Sequence, residues 1–145
     1  MDKNLEDFVQ NLKEQIYEVT KEAYGQIAYG RWLDPLFMGS MKDPDGYAVL
    51  RGQCGDSMEI FLRFEDDRVK DATFQTDGCG SSTVCGSFAV EMAVGKNPDE
   101  VLEITWEAIM EKLGGLPDED VQCAFLAAET LQDALKDYMA RQRRK

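Results

Sequence analysis

Apolar residues near the start of the chain fall at Leu5, Phe8, Val9, Leu12, Ile16, Val19, Ala23 and Ile27. Steps of three, four and seven place them on one face of a long amphipathic helix over residues 1–30, ending near Gly30. The periodicity lapses over 31–46, where Pro35, Gly39, Pro44 and Gly46 mark an extended connection that closes in the turn Asp43-Pro44-Asp45-Gly46. Alternation then takes over at 47–77: Tyr47, Val49 and Arg51; Met58, Ile60, Leu62 and Phe64; Val69, Ala72, Phe74 and Thr76. With Glu65-Asp66-Asp67-Arg68 as a polar hairpin, this predicts a three-stranded antiparallel meander. Residues 80–140 return to helical spacing. A first helix runs from Gly80 to about Val94 and stops at Gly95, and Asn97-Pro98-Asp99-Glu100 supplies a capping-box start for a short second. A third begins at Thr105 and ends at Gly114-Gly115. The last carries Phe125, Leu126, Leu131, Ala134, Leu135 and Tyr138 as its buried stripe. The expected fold is α+β, a three-stranded antiparallel sheet with helices packed on it. The whole chain, 1–145, reads as one domain without internal repeat or linker.

At 145 residues, such a domain buries roughly 70% of its unfolded surface and needs no disulfide. Sixteen basic against 28 acidic residues give a net charge of −12, which argues against a nucleic-acid surface; such acidity usually serves solubility and can also steer a protein toward a basic partner. Met1-Asp2-Lys3-Asn4 opens no signal peptide, and no run of about 18 apolar residues appears. The expectation is a soluble cytoplasmic protein with no membrane partner, in a compartment where cysteines serve metals or catalysis more than bridges. There is no histidine. Imidazole acid–base chemistry is excluded, and a metal site has only sulfur and carboxylate oxygen to draw on.

The cysteines are placed accordingly. Cys54 follows the first strand in Gly52-Gln53-Cys54-Gly55-Asp56, Cys79 leaves the third in Gly78-Cys79-Gly80-Ser81-Ser82, and Cys123 opens the last helix. The first and third strands of a meander run the same way, so Cys54 and Cys79 belong to one end of the sheet. The last helix need only dock its N-terminus there. Glycines permit tight turns and close approach, and helix N-termini favour thiolate. Asp56, two residues after Cys54, can turn its carboxylate inward. Three thiolates and a carboxylate form a four-coordinate set for Zn²⁺ or an iron–sulfur unit. The alternative is that these cysteines are small buried hydrophobes.

Cys54-Gly55-Asp56, Gly78-Cys79-Gly80-Ser81 and Cys123 with Ala127 and Glu129 in a closing helix, with 24 and 43 residues between the cysteines, resemble the IscU/NifU N-terminal-type iron–sulfur cluster assembly scaffolds. Asp34-Pro35-Leu36-Phe37-Met38-Gly39 looks like a variant of the family's Asn-Pro-Arg-Asn-Val-Gly stretch. The resemblance covers Leu33 to Tyr138. It implies a scaffold rather than an enzyme. A cysteine desulfurase delivers persulfide sulfur, an iron donor supplies iron, and a transient cluster, 2Fe–2S by expectation, forms and passes to apo-protein acceptors. By the same resemblance Cys54, Asp56, Cys79 and Cys123 are the ligands, Cys123 is the sulfur acceptor, and Asp56 is an oxygen donor that eases cluster release.

Two positions depart from the pattern. The family's histidine before the third cysteine is Gln122, and its Leu-Pro-Pro-Val-Lys chaperone-binding stretch is Leu116-Pro117-Asp118-Glu119-Asp120, which argues against that chaperone as a partner. Cys85 lies six residues beyond Cys79 on a helix, off its face at ideal geometry, and reads as a packed thiol. The place left by the histidine keeps it as an alternative ligand. The rival functions are a zinc-bound sulfurtransferase that relays persulfide through the same residues, and a family member acting as a regulator. The missing zinc-branch insertion before Cys123 favours the scaffold over the first of these.

Overall fold

The computed structural model describes residues 3–53, 55–78, 80–116 and 118–144, with side chains of α1 described over 4–15 and from residue 25 onward. The elements in order are α1 (Lys3–Leu33), β1 (Gly46–Arg51), β2 (Ser57–Glu65), β3 (Arg68–Thr76), α2 (Gly80–Ala93), α3 (Pro98–Val101), α4 (Trp106–Leu113) and α5 (Val121–Arg143), with a 3₁₀ turn at Asp118–Asp120. The strands pair in the order β1-β2-β3, both pairs antiparallel. The α+β meander with helices packed on it is therefore the fold. The β2–β3 hairpin turns in two residues, Asp66 and Asp67, both at positive φ (55° and 59°). That matches the twist of a right-handed hairpin. The Tyr138 hydroxyl donates to Asp67 Oδ1 at 2.8 Å and fixes the turn to α5.

Helix α2 is buried nearly all round, with Val84, Cys85, Phe88, Ala89, Val90 and Ala93 in the core, the pattern of a helix with neighbours on every side. It packs on β3, α5, α4 and α1. Gly86 is where it meets the sheet, since a Cβ there would stand 2.5 Å from the Phe74 ring. Helix α5 lies across β1 and β2, burying Leu126, Leu131, Ala134, Leu135 and Tyr138. The capping box before α3 is present: Glu100 N donates to Asn97 Oδ1 at 2.8 Å, and Asn97 N to Glu100 Oε1 at 3.1 Å. Among the described residues no helix is long and apolar enough to cross a membrane.

The N-terminal helix differs from the sequence expectation. Gly25, at φ 79° and ψ 170°, breaks α1 in two, and the second piece continues past Gly30 to Leu33. The break rotates the helix face, so the stripe that predicts Ile27 as buried does not carry through. Ile27 is 56% exposed while Ala28 is fully buried. Leu5, Phe8, Val9 and Leu12 are likewise exposed. Only glycine adopts such a conformation without steric cost. The second piece is held by Arg31, whose guanidinium donates to Ser87 Oγ (2.9 Å) and Glu91 Oε1 (3.0 Å) and lies 4.0 Å above the Phe88 ring. The connection that follows is also not simply extended. Phe74 N donates to Phe37 O (3.1 Å) and Gly39 N to Phe74 O (2.8 Å), so Met38 forms a parallel bridge on the free edge of β3. Phe37 accepts a left-handed φ of 68° to do so.

Burial and the bond to Asp67 push the Tyr138 pKa up to about 12 from the usual 10. The unfolded chain therefore loses that proton first, and the tyrosine's contribution to stability is complete below pH 10 and lost as pH rises through 12. Tyr138→Phe is expected to flatten the fall in Tm between pH 9.5 and 11.5, read by thermal denaturation across that range. An equally steep decline in the variant would remove Tyr138 as its source.

Candidate functional site

The turn after β1, the exit of β3 and the start of α2 converge at one end of the sheet. Gly52 N donates to Asp56 O (2.8 Å), Gly55 N to Gly52 O (3.0 Å) and Arg51 Nε to Gly55 O (3.0 Å), closing the first turn. Gly55 takes a positive φ of 89°. Ser57 N donates to Asp77 Oδ1 (2.7 Å), and Thr76 Oγ1 donates to Ser57 O (2.7 Å), tying the turn to the end of β3. The arrangement leaves the Asp56 carboxylate lying on Gly78. A Cβ at that glycine would stand 2.5 Å from Asp56 Oδ2 and 2.8 Å from Ser82 Oγ. A side chain there would displace the carboxylate or the hydroxyl.

Ser82, fully buried in the first turn of α2, joins the elements. Its Oγ lies 2.8 Å from Asp56 Oδ2 and 3.3 Å from Cys123 Sγ. A hydroxyl carries one proton and two lone pairs, so it donates to the carboxylate or the sulfur and can accept from a Cys123 thiol. Cys123 is 3% exposed and third in α5, whose N-cap residue Asp120 makes no side-chain capping bond. The first turn of a helix carries positive partial charge, which favours a thiolate there. Over the start of α2, the Trp32 indole lies where a Cβ of Gly80 would be, 2.6 Å from that position at Cδ1 and Nε1. The second piece of α1 thus covers one side of the site. An open cleft of about 360 Å³ lies on another, lined by Arg51, Gly52, Gln53, Gln122, Phe125, Leu126 and Glu129. Among the described residues, buried Ser81 Oγ has no hydrogen-bond partner. Unsatisfied hydroxyls are uncommon in a packed interior, and this one adjoins the cysteine loop in sequence.

Of the residues that the sequence singles out, Asp56 and Cys123 are brought together, from positions 67 residues apart, onto a shared hydroxyl. Cys54 and Cys79 lie outside the described residues, although Gly78 and Gly80 on one side and Gln53 and Gly55 on the other are placed at this end. Among the described residues no group of three or more potential ligands gathers. Cys85 is fully buried within the core cluster. Gln122 lines the cleft. Ser82 and Trp32 escape a reading of the sequence. Ser82 passes for an ordinary helix-start residue, and only the spacing of small residues in Gly78-Cys79-Gly80-Ser81-Ser82 hints at crowding there. The donor set that the structure assembles, one carboxylate and one thiol with a hydroxyl behind them, suits a cation that takes sulfur and oxygen together.

Residues 23–145 match the model of the NifU-like N-terminal domain. An iron–sulfur cluster assembly scaffold protein IscU of Archaeoglobus fulgidus is 39% identical over 116 residues, covering 79% of this chain and 76% of its own. The IscU scaffold protein of Aquifex aeolicus is 36% identical over 124 residues, 83% of this chain and 79% of its own. Among solved structures, a NifU-like N-terminal protein from Brucella abortus superposes with a TM-score of 0.69 over 84% of this chain and 98% of its own, at 15% identity, which speaks to the fold. With its meander, its packed helices and the convergence of Asp56 with Cys123, the chain belongs to the family of NifU-like N-terminal domains, of IscU/NifU type.

Proposed function

We propose that this protein is a scaffold on which iron–sulfur clusters are assembled and from which they are passed on. The observation that carries the reading is the meeting of Asp56 and Cys123 on Ser82 at one end of the sheet. The names of relatives at 36–39% identity support it. The cluster is cargo here, not a resident cofactor, and the ligands are Cys54, Asp56, Cys79 and Cys123, with the 2Fe–2S form expected. The whole chain serves as one such unit, without catalytic turnover of its own.

Sulfur arrives as the persulfide of a cysteine desulfurase. The Cys123 thiolate attacks the outer sulfur, the S–S bond breaks, the desulfurase thiolate leaves, and Cys123 carries the persulfide. Reducing that sulfur to sulfide takes two electrons from a thiol or redox-protein reductant, and iron comes from a separate donor. The cleft lined by Gln53 and Gln122, the latter next to Cys123 in sequence, is where a donor chain would dock. Asp56 makes the assembly releasable, because a hard oxygen among soft sulfurs is the exchangeable ligand. The acidic 118–120 turn, in place of the family's Leu-Pro-Pro-Val-Lys stretch, argues against that chaperone as a partner.

Anaerobic reconstitution with ferrous iron and sulfide tests the reading by optical and Mössbauer spectra. The parent should show a chelator-labile cluster, and Asp56→Ala a longer-lived one. A chain that takes up neither a cluster nor Zn²⁺ under these conditions is no scaffold.

A further inference from the structure

We infer that Ser82 is a positioning residue for the metal-binding end of the sheet, and that it acts through Asp56. The inference rests on the scaffold reading and assigns a part of the site outside its four ligands.

Three observations carry it. Ser82 Oγ is within hydrogen-bond reach of both Asp56 Oδ2 and Cys123 Sγ, so one fully buried atom ties the β1–β2 turn to the N-termini of α2 and α5. The Asp56 carboxylate also lies against Gly78, where a Cβ would stand 2.5 Å from Oδ2. A carboxylate held at Oδ2 by a buried hydroxyl is oriented before an ion binds. A hydroxyl within reach of both groups keeps carboxylate and sulfur at one place in the fold before any ion arrives. This is the outer-shell arrangement that elsewhere sets ligand orientation and metal affinity. Cys123, a sulfur with several lone pairs, can keep the hydroxyl as a partner while it ligates.

The experiment is a double-mutant cycle on the full chain, with Zn²⁺ affinity measured by competition against a chromophoric chelator and Co²⁺ spectra recorded alongside. Circular dichroism establishes that each variant is folded. Ser82→Ala is expected to weaken Zn²⁺ binding by about 10–100-fold, the range for loss of an outer-shell partner, and to move the Co²⁺ bands toward those of Asp56→Ala. In the Asp56→Ala background the same change should cost no more than about twofold, because the group it positions is gone. Parent-like affinity and Co²⁺ bands in a folded Ser82→Ala overturn the inference and leave the scaffold reading standing. So does a Ser82→Ala loss that is equally large with and without Asp56. A parent chain that binds neither ion nor cluster overturns the scaffold reading, and this inference with it.

Discussion

Cys123→Ser is expected to abolish stable cluster formation and to weaken Zn²⁺ binding by more than the roughly 10–100-fold of a lost outer-shell partner. The serine hydroxyl is a poor anion at neutral pH and a harder donor than thiolate, so the ion loses a ligand. The substitution is nearly isosteric at a 3% exposed position, and the hydroxyl can still bond Ser82. Folding should therefore be almost unaffected, which separates a ligand from a packing residue. Cys85→Ser makes the contrast, since Cys85 is fully buried among core side chains. It should lower Tm, because a hydroxyl enters an apolar interior, while leaving metal uptake near the parent's. Iron, sulfide and zinc content of the purified variants, with thermal melts, checks both halves. Retained clusters in Cys123→Ser together with lost clusters in Cys85→Ser would move the ligand role to α2.

Gly46→Ala should cost about 2 kcal/mol or more, the range for forcing a methyl group into a packed interior. At this chain length that is a fall in Tm of roughly 5–10 °C. The physical reason is the obstacle. A Cβ on Gly46 would run into the backbone carbonyl of Ala134, and would stand 3.1 Å from Tyr138 Cβ. A flexible side chain could swing aside, whereas a helix backbone moves only as a unit. Helix α5 also pins this strand through Asp137 Oδ2, which accepts from Tyr47 N at 2.9 Å. Gly30→Ala is the control. Nothing lies within 4 Å of a Cβ there, and replacing a helical glycine by alanine should be neutral or stabilising by about 0.5–1 kcal/mol. Calorimetric Tm values for the two alanines decide the matter, and equal values would show that β1 and α5 can part without cost.

The strands and the helices after residue 97 were legible because their signals are local. Alternation in Met58, Ile60 and Leu62, the Asn97–Glu100 capping box and the Gly114 stop each act within a few residues of where they are read. Gly114 does sit at φ 87° as the C-cap of α4. The break at Gly25 was not legible, because hydrophobic periodicity counts which residues are apolar and is blind to a single positive φ. The parallel bridge of Met38 to Phe74 escaped for another reason, since one bridging residue has no period. In the site, the boundary position of Cys123 and the inward turn available to Asp56 could be read from element order. Ser82 could not, because its significance comes from contacts reaching 26 and 41 residues along the chain. Cys54 and Cys79 lie outside the described residues, so their part in the site rests on the sequence motifs.

The break in α1 has a mechanical meaning as well. Residues 4–15 are exposed throughout, and the covering tryptophan and the Arg31 anchor both come after Gly25. The piece of α1 that carries Trp32 and the Arg31 clamp on Ser87, Glu91 and Phe88 is set off from the exposed residues 4–15 by a glycine joint. A label placed on residues 4–15 should therefore leave the indole over the start of α2 in place.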